Sequence, residues 1–243
     1  MFDKSAPNTL TAKLPGGSKA YIFRADNTLT ANEPIYAINW FNTKTQWVYD
    51  FYNFLAVKAV KKIGGGPFFK GKHTKTLYGE AESKRDILLV VRYPALQNFR
   101  TMLEDKYFQL VSLVRITAVE DFTFGISKRA DAGADFQPMF KAESKTKAYA
   151  VHHYSGPNDI RAELQGLAEN SSVNIFFSSH IKAHIGTGKS QESCDLVDCI
   201  IENILILSAA DEDSIISFTQ ATPYQNLIQE TETSFIGLYS RIL

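Results

Sequence analysis

Cysteine is scarce. Cys194 and Cys199 are the only two in 243 residues, too few for the disulfide framework of a small secreted domain, and they suit a reducing compartment. They stand five apart with no second pair, so this chain alone forms no zinc knuckle, and no basic neighbour marks either as a reactive thiol. Charge of one sign is missing too. Lys+Arg and Asp+Glu both number 26, for a formal net charge of +0, which removes any general pull toward nucleic acid or an anionic bilayer. No stretch approaches the ~20 apolar residues of a spanning helix, and residues 1–17 lack the apolar core of a secretion leader. A cytoplasmic protein is expected, with no nucleic acid and no membrane among its partners. Catalytic signatures are also absent: there is no nucleophile elbow, paired-carboxylate pattern or dinucleotide fingerprint. Gly186-Thr-Gly-Lys-Ser190 lacks the leading glycine of a phosphate loop, since Ala183 stands there, and it joins two expected strands rather than opening a helix. A flexible connection is expected from Gly186 to Cys199.

What is present is an internal repeat. Ile35–Phe41 aligns without gaps on Ala148–Tyr154, pairing Tyr36 with Tyr149 and Ala37 with Ala150. Asp86–Val91 aligns on Glu202–Leu207, each an apolar run of strand length behind an acid. Helical spacing follows both runs, through Leu96, Phe99, Met102 and Leu103 in the first copy and Ile215, Phe218 and Thr219 in the second. The copies then reach Phe108-Gln109 and Tyr224-Gln225, and close on edge-like strands in which Gly125 falls on Gly237. An earlier helix spans Thr45 to Ile63, with Trp47, Phe51, Phe54, Leu55 and Val60 on one broad face and a stop at Gly64-Gly65-Gly66. Its counterpart carries Ile160, Leu164 and Leu167. Second strands run from Phe68 to Tyr78 and from Val173 to Ile185, where a one-residue slip sets His73 on His180 and predicts a bulge.

Each copy therefore reads strand, helix, strand, strand, helix, strand, the split β-α-β order of a ferredoxin-like module. The fold class expected is α+β: two tandem βαββαβ modules packed sheet to sheet as an intramolecular dimeric α/β barrel, because helices cover one sheet face and the other is too apolar to stay wet. Residues 1–30 form an N-terminal extension in which Lys19 to Arg24 suit a short strand. The first module spans 31–128, a linker 129–146 and the second module 147–243.

At Gly64-Gly65, Tyr78-Gly79, Asp86-Ile-Leu-Leu-Val-Val-Arg-Tyr-Pro94, Phe99, Met102-Leu103, Phe108-Gln109, Arg115, Ala118 and Asp121, the sequence resembles the dimeric α/β-barrel superfamily, and within it a branch of unassigned function. The second copy departs at Ser208-Ala209-Ala210 and keeps only Pro223-Tyr224-Gln225. The resemblance implies the fold and a tandem pseudo-dimer. It selects no chemistry, because the superfamily includes monooxygenases, isomerases, haem peroxidases and proteins without known activity.

Four of the five histidines, His152, His153, His180 and His184, lie in the second copy. Strand alternation sends His152 and His153 to opposite faces. His180 and His184 share a face and are the metal-ligand candidates, in a set with one of the His152–His153 pair that is stretched because the third strand separates the first strand from the second. His153 and Arg92 are the catalytic candidates. Arg92 is either an anchor for a substrate carboxylate or the partner of Asp121 or Glu120. With the two first strands paired, Tyr36, Trp40, Tyr149 and His153 would share one face, as a ligand lining or as plain core. Three readings stay open. One is a protein that binds or transforms a small hydrophobic or aromatic molecule between the modules. The others are a non-catalytic scaffold and a haem protein.

Overall fold

Runs of β-branched and aromatic residues with period two become strands, and the segments of three-to-four spacing become helices. The computed structural model describes residues 10–13, 19–25, 31–80, 85–129, 147–156, 159–188 and 202–242. In chain order these form β1 (Leu10–Lys13), β2 (Lys19–Ala25), β3 (Ile35–Thr43), α1 (Gln46–Lys62), β4 (Gly66–Tyr78), β5 (Ile87–Tyr93), α2 (Leu96–Glu104), α3 (Lys106–Ala118) and β6 (Val119–Arg129). After these come β7 (Ala148–Ser155), α4 (Arg161–Glu169), β8 (Asn174–Gly188), β9 (Asn203–Ala209), α5 (Glu212–Gln220), α6 (Thr222–Gln229) and β10 (Thr233–Arg241). The protein is α+β. Its described residues divide into two compact units. The first takes those within Met1–Lys70, Arg85–Lys128 and Lys182–Asp198, and the second those within Gly71–Lys84, Arg129–Ile181 and Cys199–Leu243.

In the first unit β3 lies between β6 and β5, and both pairings are antiparallel: Tyr36 stands opposite Arg92 on one side and Ser127 on the other. Odd-numbered positions of β3 and β5 face the helices. There Ile35, Ala37, Val91 and Tyr93 pack with Phe124 and Ile126 of β6 against Ala56, Ala59, Phe99 and Met102, each large apolar side chain contributing about 1.5–3 kcal/mol of burial. Tyr36, Ile38 and Trp40 point the other way and are also buried.

The end of α1 shows how local chemistry sets a boundary. Ile63 caps the helix, Gly64 adopts φ +76°, its N–H donates to Lys61 O (3.0 Å), and the Gly65 N–H donates to Val60 O (2.9 Å). This is the paired bonding of a Schellman stop, which needs a residue free of Cβ crowding at positive φ. Between α2 and α3 the chain breaks at Asp105, whose side chain accepts from the Phe108 N–H at 3.2 Å and from Lys62 Nζ at 3.1 Å. These bonds hold its carboxyl below the usual range.

In the second unit β7 lies between β10 and β9, with Tyr149 opposite Tyr239 and Ser208. Ala150, Tyr154, Leu205, Leu207, Ile236 and Leu238 face the helices, against Leu164, Ile215, Tyr224 and Ile228. Register shifts fall between Ile175 and Phe177 in the pairing of β8 with β9, and at two points of the pairing of β10 with β4. The pairings of β4 and β8 are thus both irregular, as bulged strands are.

Three expectations change. The last strands are not edges: β6 neighbours β8, and β10 pairs with Gly71–Tyr78 of β4. Gly186–Gly188 is not a flexible connection but strand, paired with Lys19–Tyr21 of β2, which places the short strand of the N-terminal extension; residues 189–201 lie outside the described ones. On α1 the buried residues are Tyr49, Ala56 and Ala59, while Trp47, Phe51 and Phe54 face solvent. Both sides of that helix are apolar, so its periodicity alone does not select the core side.

Candidate functional site

Consecutive histidines on β7 divide the second unit's sheet into two polar environments. His152 faces the helices and is wholly buried, and that burial pushes its pKa down from 6.5 to about 3. The ring is neutral. Its Nδ1 lies 2.9 Å from Tyr224 Oη, its Nε2 3.1 Å from Ser234 Oγ, and Ser234 Oγ 2.8 Å from Thr231 Oγ1. Thr231 donates its one hydroxyl hydrogen to Ile228 O at 2.6 Å. Thr231 must therefore accept from Ser234, which leaves Ser234 to accept from Nε2–H. Nδ1 then accepts from Tyr224, whose hydroxyl burial holds protonated. One direction of bonding runs from Tyr224 through His152, Ser234 and Thr231 to Ile228, and it fixes the tautomer.

His153 faces away from the helices and is also buried. Its ring stacks near Phe235, with centroids 6.3 Å apart and planes at 23°, and Phe235 lies 6.1 Å from His73. His73 in turn meets Tyr239 edge to face at 5.4 Å, with its Nε2 3.2 Å from Thr76 Oγ1. The β10 positions alternate so that Phe235, Gly237 and Tyr239 share this face. Gly237 is small for a reason: a Cβ there would stand 2.8 Å from His73 Cδ2 and 3.0 Å from the Tyr239 ring. Tyr149 packs edge to face on Phe176 at 5.5 Å, and the Arg241 guanidinium lies 5.7 and 5.5 Å from the two ring centroids and donates to Tyr149 Oη at 3.2 Å. Two imidazoles, several aromatic faces and one cation thus occupy the helix-free face of a single sheet. Tyr149, His153, Phe235 and Tyr239 are buried here, and the set joins aromatic rings to imidazoles, the group types that pack against flat apolar molecules and exchange protons with hydroxyl or keto groups.

The sequence candidates divide between the units. Tyr149 and His153 belong to this face. Tyr36 and Trp40 are buried on the first unit's sheet, where Tyr36 meets Phe68 edge to face at 5.4 Å. The expected pairing of the two first strands is not found: β3 bonds to β5 and β6, and β7 to β9 and β10. Arg92 is half-buried opposite Tyr36, while Glu120 pairs with Lys44 at 3.7 Å. His180 stands opposite Asn203, on the helix side that Leu205 and Leu207 share, and its Nδ1 donates to Asn203 Oδ1 at 2.9 Å. It is therefore on the opposite face from His153, because the bulge at Phe176 inverts the alternation. The His184 side chain lies outside the described residues, as do Cys194 and Cys199. Among the described residues no group of three or more His, Cys, Asp or Glu could hold a metal ion.

Sequence reasoning missed His73, Phe235, Tyr239 and Arg241. His73 stands in the first copy by sequence, yet Gly71–Lys84 belongs to the second unit. The usable signal was the alignment of Gly237 with Gly125, a small residue kept inside an aromatic strand.

No protein-family model matches the sequence, and no curated protein does. Solved structures do. An anthrone oxidase-like protein is similar over 91% of this chain and 94% of its own, at 8% identity and a TM-score of 0.51. A protein from Fusobacterium nucleatum subsp. nucleatum ATCC 25586 described as a "putative monooxygenase" is similar over 88% and 94%, at 11% identity and a TM-score of 0.50. A chlorite dismutase variant from Candidatus Nitrospira defluvii covers 87% and 92%, at 12% identity and a TM-score of 0.48. At such identities the likeness is one of fold alone.

Proposed function

The chain has the fold of the dimeric α/β barrels, and from that premise we propose that it binds, and through an imidazole transforms, a small hydrophobic or aromatic molecule on the helix-free face of the second unit. The observation that carries this reading is the array of His153, Phe235, His73 and Tyr239. Phe235 and Tyr239 offer ring faces. His153 and His73 offer proton acceptors beside them, and Arg241 offers a fixed positive charge for an anionic or phenolate edge.

Duplication followed by divergence of two ferredoxin-like modules accounts for a single site of this kind. Its support is register: Tyr36 opposite Arg92 and Ser127 corresponds to Tyr149 opposite Ser208 and Tyr239, position for position in the sequence repeat. Where the first copy has Asn39-Trp40, the second has His152-His153.

Mass spectrometry of what co-purifies with the full chain, followed by calorimetric titration with anthrone and with 1-naphthol, tests the reading. Wild type is expected to bind one of the two, and Phe235→Ala to weaken binding about two- to tenfold, the loss of one stacked ring, with the far-ultraviolet circular dichroism unchanged. An unchanged affinity, or no co-purified molecule and no binding of either probe, refutes it. Among the described residues a haem iron would meet single imidazoles, His73 or His153, rather than a clustered ligand set. A Soret band on haem addition that is lost in His153→Ala would replace the aromatic ligand with haem.

A further inference from the structure

The helical layer of the first unit leaves an unusual amount of apolar surface in water. Trp47, Phe51 and Phe54 recur at four- and three-residue spacing on α1, exposed at 73%, 51% and 63%. On α3 Tyr107, Leu110, Leu113 and Ile116 are also exposed, at three-residue steps that wind round the solvent side of the helix, with Leu110 at 67%. The two helices run antiparallel in contact: the Tyr107 hydroxyl donates to Leu55 O at 3.2 Å near the middle of α1, and Lys62 at its end pairs with Asp105 at 3.1 Å. The exposed residues at the start of α3, Tyr107 above all, therefore lie beside the C-terminal half of α1. The second unit supplies an internal comparison. Its helices α4, α5 and α6 occupy the same places in the order of elements, yet none of the exposed large hydrophobic residues falls on them. A wet apolar helical face is a property of one unit and not of the fold.

We propose that this face of α1 and α3 is where a second copy of the chain docks, as a two-fold dimer. Area is the first argument. With about 150–250 Å² per aromatic side chain, the exposed parts of Trp47, Phe51, Phe54 and Tyr107 amount to roughly 350–550 Å², and the exposed aliphatic side chains of α3 bring the patch toward the ~800 Å² that each side of a standard interface covers. That exceeds the scattered exposure normal for a monomer. Charge is the second argument. The chain's formal net charge is +0, so two copies meet without net repulsion and an anionic bilayer gains no general attraction. Along α1 the exposed rim is acidic at Asp50 and basic at Lys58 and Lys61. A two-fold axis that sets α1 antiparallel to its copy brings the acidic end of each against the basic end of the other. Isologous contact needs only this one patch, with α1 of each copy against α1 of the other and the exposed side chains of α3 flanking the seam.

Sedimentation equilibrium of the full chain, from low to high micromolar concentration, tests this. A reversible dimer is expected. Leu110→Lys and Phe54→Asp should each raise the dimer dissociation constant at least about tenfold, as hot-spot truncations do, while circular dichroism stays at wild-type values, as does the thermal midpoint at a concentration where wild type is monomeric, because both residues are exposed. As a control for folding, Ser217→Asp on α5 of the second unit should leave the dimer intact. A wild-type monomer at every concentration overturns the proposal, as does a dimer that survives both substitutions. A monomer that co-sediments with phosphatidylcholine/phosphatidylserine vesicles also overturns it, in favour of a membrane surface.

Discussion

Lowering the pH should destabilise the second unit through one residue. His152 titrates at about 3 in the folded protein and at 6.5 when free of it, so between those values the unfolded chain binds a proton that the folded chain refuses. A folded pKa below the unfolded one means stability present above pH 6.5 and lost as the pH falls. Each pH unit in that window removes about 1.4 kcal/mol, so about 2 kcal/mol should be gone near pH 5 and the loss continues toward pH 3. That is a sizeable part of the ~5–15 kcal/mol that holds a domain folded. Other groups titrate as well, and a difference isolates this one. Urea unfolding of wild type and His152→Gln, each followed near pH 7.5 and near pH 5, gives two pH losses, of which the wild-type loss should be larger by about 2 kcal/mol. Tyr224→Phe removes the donor to Nδ1 and should cost about 1–3 kcal/mol even near neutrality. Equal pH losses in wild type and His152→Gln would show that the ring is not held neutral by burial, and the bonding direction derived from it would fall too.

Two glycines give further tests. Gly79 has φ +93°, and a Cβ there would stand 2.6 Å from Ser234 O, so Gly79→Ala should cost more than the ~1 kcal/mol of positive φ alone; a denaturation midpoint within error of wild type would count against that close approach. Gly237→Ala should lose about 1–3 kcal/mol through crowding of His73 and Tyr239, and much less in a His73→Ala background, a coupling that a double-mutant cycle measures directly.

Local signals carried the elements well and their partners poorly. The Gly64-Gly65-Gly66 stop ended α1 where bonding ends it, and the apolar runs after Asp86 and before Ser208 became β5 and β9. Those signals act within one or two turns of chain. The break at Asp105 was written in the sequence as a capping acid three residues before Phe108, but continuous helical spacing on both sides concealed it. Neither Gly71–Tyr78 against β10 nor β2 against β8 has a local signature, because a strand edge accepts any partner that fits its register. The candidate site suffered most from this. His153 and Tyr149 were legible from alternation on β7, whereas His73, Phe235 and Tyr239 assemble only through a pairing some 160 residues long in sequence separation. On α1, two apolar sides competed for the core, and the side that carries Tyr49, Ala56 and Ala59 is the buried one.

The passage of β4 and β8 from one compact unit into the other bears on descent as well as on architecture. Residues 71–78 share a unit with 236–241, and residues 183–188 with 19–25, while their sequence neighbours belong elsewhere. Substitutions accumulating in either half of the chain are therefore tested against residues inherited in the other. A chimera joined at the linker from two diverged parents should inherit mismatched strand pairs at these two places, and compensating changes should be found across them rather than along the chain.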